Sequence, residues 1–227
     1  NQNMFFFINR ERADRDMVFG FTEDGTNCLF ALRAESSRAT ILDIDIKKIG
    51  DIHYMFVAGS WRRGGFFKTC NLSTMACTNQ EFRGNVILRH VKRISVNNEG
   101  TFVYMTSRDG NVSGFSLDLT DASPLGSVTT ADRICESVNN PTLRSDIMYA
   151  TTVAVSPDNS NILYTGSHVN HAIQKLELTD TTCTVLESIG AGINSVLANK
   201  GTSADTDADD IRFSRVWGMH VNENGKI

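Results

Sequence analysis

Proline is scarce here, at 3 in 227 residues. With 41% hydrophobic residues beside it, that scarcity excludes a disordered tail and marks a globular chain. Long apolar runs are missing. The longest, MFFFI at 4–8 and YMFVA at 54–58, are far short of the ~20 residues a membrane-spanning helix needs, so no membrane insertion is expected. Charge of one sign is missing as well. The net charge is −4 and Lys and Arg are scattered, which gives no surface for nucleic acid. The first residues carry no secretory leader pattern. The chain opens on Asn1 rather than Met, as a processed product or a part of a longer reading frame would.

None of the five cysteines, Cys28, Cys70, Cys77, Cys135 and Cys183, stands in a CxxC or a Cys/His set with zinc spacing. Cys70 and Cys77 differ from the others. They bracket NLSTMA, a polar loop between two candidate strands, FFKTCNL and CTNQEF. Facing positions at the neck of a hairpin can meet disulfide geometry, so this pair is expected to be bonded. Two sequons, Asn71-Leu-Ser73 and Asn111-Val-Ser113, would suit N-glycans on a secreted chain. Asn71 falls in a predicted turn. The pairing of Cys28, Cys135 and Cys183 stays open.

What is present throughout is short strands. Runs of four to eight residues rich in Val, Ile, Phe and Tyr alternate with Gly, Asn, Asp and Ser. No window holds a long helical period with caps at both ends. The chain is expected to be all-β. Four segments share one pattern of strand, polar turn and strand: LFALRAESSRATILDI, FFKTCNLSTMACTNQEF, GFSLDLTDASPLGSV and AIQKLELTDTTCTVLES. Aligning them places Leu32, Cys70, Leu117 and Leu176 in register, and Cys77 on Cys183. A second pattern lies upstream in ISVNNEGTFVYMTS, VAVSPDNSNILYTGS and MHVNENGKI. Together they make a four-stranded unit recurring every 40 to 60 residues or so, the mark of a β-propeller. The units are expected at about 1–45, 46–88, 89–130 and 148–190, in one domain, with 217–227 opening a fifth. A unit with only an inner strand leaves backbone groups and an apolar face unpaired. The remaining strands are therefore expected from beyond residue 227, from a second copy or from a partner chain.

The stretch LYTGSHVNHAIQKLEL at 163–178 resembles NHL-repeat propellers. A strand ends in a small polar turn, then Asn170, His171 and Ile173 lead into the next strand, with Ala172 where the family has Leu. The Gly- and Asp-rich link after Ser188, running to Phe213 and the strand at 216–221, is similar to the joints between such repeats. The likeness covers roughly 153–227, and the earlier units are propeller-like only in general pattern. It implies that Asn170 and His171 are structural turn residues bonding local backbone.

The other candidates for chemistry are sparse. Asp205, Asp207 and Asp209 begin like a calcium loop, but Asp210 stands where an EF-hand needs Gly and Val216 where it needs Glu. A solvated acidic loop is expected there. His53 lies on a predicted strand, and His168 is read with the turn. His220, on a predicted inner strand, is the best placed metal candidate, because inner strands line a propeller's central channel. The other inner-strand residues, Ile94, Val96, Val153, Val155, Met219 and Val221, are apolar. No GxSxG, paired-carboxylate or glycine-loop motif occurs, so no cofactor is expected. Trp61, Arg62 and Arg63 share a predicted turn whose composition suits an interaction surface.

Fold alone does not assign function. The expectation is a non-enzymatic, extracellular propeller that presents loops to protein partners or assembles into a larger structure such as a filament or coat. The alternative is a propeller enzyme of the lactonase or lyase kind with a metal in the channel.

Overall fold

The structure is a computed structural model, and it describes residues 4–9, 17–22, 28–33, 40–61, 64–83, 91–117, 119, 132–137, 147–180, 182–190 and 216–221. Within them the chain is all-β. The strands are β1 (Met4–Asn9), β2 (Met17–Thr22), β3 (Cys28–Arg33), β4 (Thr40–Ile49), β5 (Ile52–Trp61), β6 (Gly64–Asn71), β7 (Ala76–Arg83), β8 (Arg93–Val96), β9 (Phe102–Thr106), β10 (Val112–Ser116), β11 (Arg133–Cys135), β12 (Thr152–Val155), β13 (Ile162–Ser167), β14 (Ala172–Leu178) and β15 (Cys183–Ile189). They form one three-stranded sheet, β1-β2-β3, and three four-stranded sheets, β4-β5-β6-β7, β8-β9-β10-β11 and β12-β13-β14-β15. Every pairing is antiparallel between neighbours in sequence. No helix among the described residues is long and apolar enough to cross a membrane.

The turns explain why the chain reverses where it does. Asn97 follows β8, and its Oδ1 accepts from the backbone N–H groups of Thr101 and Phe102, each at 2.9 Å. The side chain thus closes the β8–β9 hairpin. Gly100 in this turn has φ +69°, and a Cβ there would overlap Ile49 and Leu119. Only glycine suits both demands.

Two expected boundaries move. Residues 40–45 were assigned to the end of the first unit, but they begin the second sheet. β4 pairs with β5 along its length, from Thr40↔Ser60 to Ile49↔Ile52, and Ile41 is fully buried against Met55, Val57 and Phe66. That ladder assigns β4 to the second sheet from end to end, so the first sheet keeps three described strands. The third unit runs past residue 130, because its outer strand is β11.

The expected register also shifts. Cys70 pairs with Met55 and Leu176 with Leu163, so those two positions do correspond. The third sheet's equivalent is Phe115, opposite Val103, not Leu117. Leu32 lies on the edge strand β3, opposite Val18. Cys77 faces Cys70, whereas Cys183 faces Leu178 across a hairpin with a register shift at Lys175/Leu176.

The sheets pack face to face in chain order. One cluster joins the first sheet to the second through Val18, Ile41, Met55 and Phe66. A second joins the second to the third through Phe56, Phe67, Ile94, Val103 and Phe115. A third joins the third to the fourth through Tyr104, Val112, Val155, Leu163 and Leu176. The second strand of the second and third sheets turns alternate residues to the two neighbours: Met55 faces back and Phe56 forward, and Val103 and Tyr104 repeat this. Period-2 alternation with both faces buried is what stacked sheets require.

Two polar devices reinforce the third interface. Cys135 on β11 and Cys183 on β15 form a disulfide across the two sheets. Beside it, Arg133 donates to Tyr104 Oη at 2.9 Å, Asn161 Oδ1 at 2.8 Å and Asp180 Oδ1 at 2.8 Å, and lies over the Phe102 ring. Tyr104 Oη in turn donates to Ser160 O at 2.8 Å. Burial raises the Tyr104 pKa, with Arg133 opposing, so the phenol remains a donor.

Candidate functional site

β4, β8 and β12 are the first strands of successive sheets, and each has an edge with no sheet neighbour among the described residues. An unpaired N–H row there would be costly if buried. Side chains of the preceding first strand satisfy it. Asp43 Oδ2 accepts from Ile94 N at 2.9 Å and Asp45 Oδ2 from Val96 N at 2.7 Å. One sheet further on, Ser95 Oγ accepts from Val155 N at 3.1 Å. Ser95 lies opposite Tyr104 as Asp45 lies opposite Phe56, so the device repeats at equivalent positions. The position equivalent to Ser95 on β12 is Ala154, opposite Tyr164, whose methyl cannot accept.

These strands enclose a cavity of about 220 Å³, lined by Asp43, Asp45, Lys47, Arg93, Ser95, Thr152 and His220 among others. Burial pushes the Asp43 carboxyl up to about 6, against the lowering effects of the Ile94 N–H and Arg93. Burial likewise raises Asp45, against Lys47, the Val96 N–H and His220. Arg93 Nη1 approaches Asp43 Oδ1 only to 3.9 Å and donates to Leu42 O at 3.2 Å.

At the starts of the same strands lies a second, larger cleft of about 420 Å³. It is lined by Leu42, Ser60, Val91, Lys92, Arg93, Arg108, Thr151 and Trp217. Three of these are cations and none is an acid. Lys92 Nζ donates to Tyr149 Oη at 3.2 Å and sits 4.7 Å from its ring centroid. Tyr149 Oη donates to the carbonyl of Arg108. One tyrosine thereby positions the Lys92 ammonium and anchors the backbone of Arg108. Trp217 is 55% exposed, and its indole stacks on His168 at 4.8 Å.

The sequence-predicted residues fall into distinct places. Cys70 and Cys77 form a disulfide at the neck of the β6–β7 hairpin, Cα atoms 4.0 Å apart. Asn71 Oδ1 accepts from Ser73 N and Thr74 N in the turn that follows. Asn111 Oδ1 accepts from Ser137 N at 2.8 Å, which ties β11 back to the β9–β10 turn. Asn170 Oδ1 accepts from Ser167 Oγ at 2.9 Å, and the Asn170 N–H donates to the same oxygen. His171 takes φ +55°. The turn therefore holds itself together with Asn170 and His171, while His168 faces Trp217 and Tyr149. His53 is exposed on β5. His220 is exposed at the first cavity, beside Asp45. Trp61 ends β5. Arg62, Arg63, Asp205, Asp207 and Asp209 lie outside the described residues.

The expected apolar lining of the inner strands is corrected. Ile94, Val153, Val155, Met219 and Val221 do line the cavity, but so do Asp43, Asp45, Lys47, Arg93, Ser95 and Thr152. A unit ending at about residue 45 leaves Asp43 and Asp45 away from the inner strands, whereas β4 is itself a first strand. The signal was present in TILDIDIKKI, where two acids alternate with isoleucines along a strand. Among the described residues, no group of three His, Cys, Asp or Glu could hold a metal ion. No family model matches the chain, and no curated protein matches it.

Proposed function

We propose that the chain is a β-propeller of NHL-like units that works outside the cell as a non-enzymatic binding module. The observation that carries the reading is the convergence of β4, β8, β12 and residues 216–221 on one cavity. Successive four-stranded sheets whose first strands share a central cavity are the plan of a propeller. The two disulfides, Cys70–Cys77 and Cys135–Cys183, suit an oxidising compartment. Binding is favoured over catalysis because both cavity carboxylates already serve as acceptors for β8. A general base or a metal ligand there would have to work from a carboxylate already held in place by that bond.

In this reading residues 216–221, which form no ladder with β1 in the structure, take the innermost position next to the sheet of β1, β2 and β3. They line the cavity together with Asp43 and Asp45 of β4 and residues 152–155 of β12. Thr151 Oγ1 also donates to Val216 O at 2.9 Å, and a Cβ on Gly166 would overlap Val216. The three-stranded sheet packs on β4 and β5 from the other side, through Phe6, Ile8 and Val18. In this reading the ring takes its last strand from the same chain, as an alternative to the strands expected from beyond residue 227, from a second copy or from a partner chain.

Hydrogen exchange tests this closure. The β1 amides that do not bond β2 should exchange as slowly as those of β8. Exchange of those amides at the rate of an exposed edge strand would reject the closure.

Elemental analysis tests the binding assignment. The purified protein should hold no stoichiometric transition metal or calcium, and a panel of lactones and esters should be hydrolysed no faster than by buffer. Near-stoichiometric metal that disappears in His220→Ala would instead establish the propeller-enzyme alternative.

A further inference from the structure

We propose that the larger cleft is a binding site for an acidic saccharide, a sugar ring bearing carboxylate or sulfate. This rests on the reading of the chain as a binding module and assigns the ligand class to one face of it.

The cleft has the size of a small-ligand site, about 420 Å³ against roughly 300–1,000 Å³ for such pockets. A concavity of that volume accepts one or two rings rather than a flat protein epitope. Its charge is one-sided: Lys92, Arg93 and Arg108 line it with no acid among the described lining residues, although Arg93 also has Asp43 of the other cavity at 3.9 Å. The chain as a whole is acidic, at −4, so this clustering runs against the average composition. Two of the three cations are guanidinium groups, whose planar forks fit carboxylate and sulfate in a bidentate manner.

The cleft is also prepared for a ring. Trp217 is exposed yet held, one side of its indole stacked on His168. His168 is fixed in turn by its backbone N–H to Thr151 Oγ1 at 3.2 Å and by edge contact with Tyr149. An exposed aromatic that is already ordered loses little entropy when a ligand stacks on it. Tyr149 also holds the Lys92 ammonium and the backbone of Arg108, so these two cationic residues and the platform are joined through one side chain. Anionic groups recognised by guanidinium, on a ring flat enough to lie on an indole, describe an acidic sugar.

The test is titration of the intact protein with four probes, followed by calorimetry and tryptophan fluorescence. The probes are a sulfated disaccharide of glucosamine and uronic acid, a neutral disaccharide, inorganic sulfate and an acidic peptide. Only the sulfated disaccharide should bind with both a heat and a change in tryptophan emission. Raising the salt should weaken it. Arg108→Ala and Trp217→Ala should each weaken it by tenfold or more, with thermal melts within a few degrees of wild type. Arg108→Lys should recover only part, since an ammonium cannot bind in a bidentate manner. Equal affinity for sulfate alone, unmoved by Trp217→Ala, overturns the saccharide. Preference for the acidic peptide overturns the saccharide but keeps this face as the binding face. Binding of no probe, or binding unchanged in both variants, rejects the face itself, whatever the outcome for hydrogen exchange and metal content.

Discussion

Removing the Cys135–Cys183 disulfide is expected to lower stability by about 4 kcal/mol. The chain-entropy account ties a disulfide's effect to the length of chain it closes, and a separation of 48 residues corresponds to that loss. The Cys70–Cys77 bridge closes only 7 residues and corresponds to about 2 kcal/mol. The ordering is the sharper part of the prediction. Cys135 is wholly buried in the cluster between the third and fourth sheets. Its loss therefore also loosens packing that the hairpin bridge does not touch. The paired variant Cys135→Ala with Cys183→Ala should melt roughly 10 °C or more below the oxidised wild type. Cys70→Ala with Cys77→Ala should fall between them. Equal losses from the two pairs, or a larger loss from the hairpin pair, would reject the cross-sheet bridge as the chief covalent brace.

The second large effect concerns Asp43 and pH. Its carboxyl is pushed up to about 6, from 3.8, with 21% of the side chain exposed. Between those values the folded state holds more protons than the unfolded chain. The contribution of Asp43 to stability is therefore fully present below pH 3.8 and is lost as pH rises through 6. The loss amounts to about 3 kcal/mol at neutral pH. Asp43→Asn cannot ionise, yet its amide oxygen can still accept from Ile94 N. The variant should unfold at a higher denaturant concentration than wild type at pH 7.5, and at nearly the same concentration at pH 3.5. Chemical denaturation at the two pH values measures the difference directly. A variant weaker than wild type at pH 7.5 but not at pH 3.5 would mean that the ionised carboxylate, with its Arg93 neighbour at 3.9 Å, stabilises the fold after all. Asp45 is raised from the same cause, and Asp45→Asn should show the same sign.

The two carboxylates also show why an acid is useful at a place that penalises its charge. Ile94 and Val96 present N–H groups on the edge of β8 with no sheet neighbour. An aspartate reaches across from β4 and satisfies them, as a serine does one sheet further on. The shorter hydroxyl suffices where the strands are aligned for it. Inner strands so capped are not open to pairing with another chain.

The sequence by itself determined what depends on neighbours along the chain. Alternation of apolar and polar residues marked the hairpins 66–82, 94–107, 153–167 and 172–188 as all-β. Cys70 and Cys77 faced each other because a short polar turn leaves only one register for its flanks. Asn170 was legible as a turn residue for the same reason, since its partner Ser167 lies three residues away, and His171 beside it takes the left-handed backbone of a turn. The tertiary structure alone decided what depends on which strands become neighbours. β4 carries the same pattern whether it ends one sheet or begins the next. Only its ladder to β5 and the burial of Ile41 assigned it to the second, and with it placed Asp43 and Asp45 at the cavity. Cys135 and Cys183 are 48 residues apart and meet because two outer strands lie side by side. Trp217, His168, Tyr149, Lys92 and Arg108 come from five separate stretches, and no spacing along the chain announces them. Periodicity is a local property of a strand, whereas a site between sheets is created by packing their apolar faces.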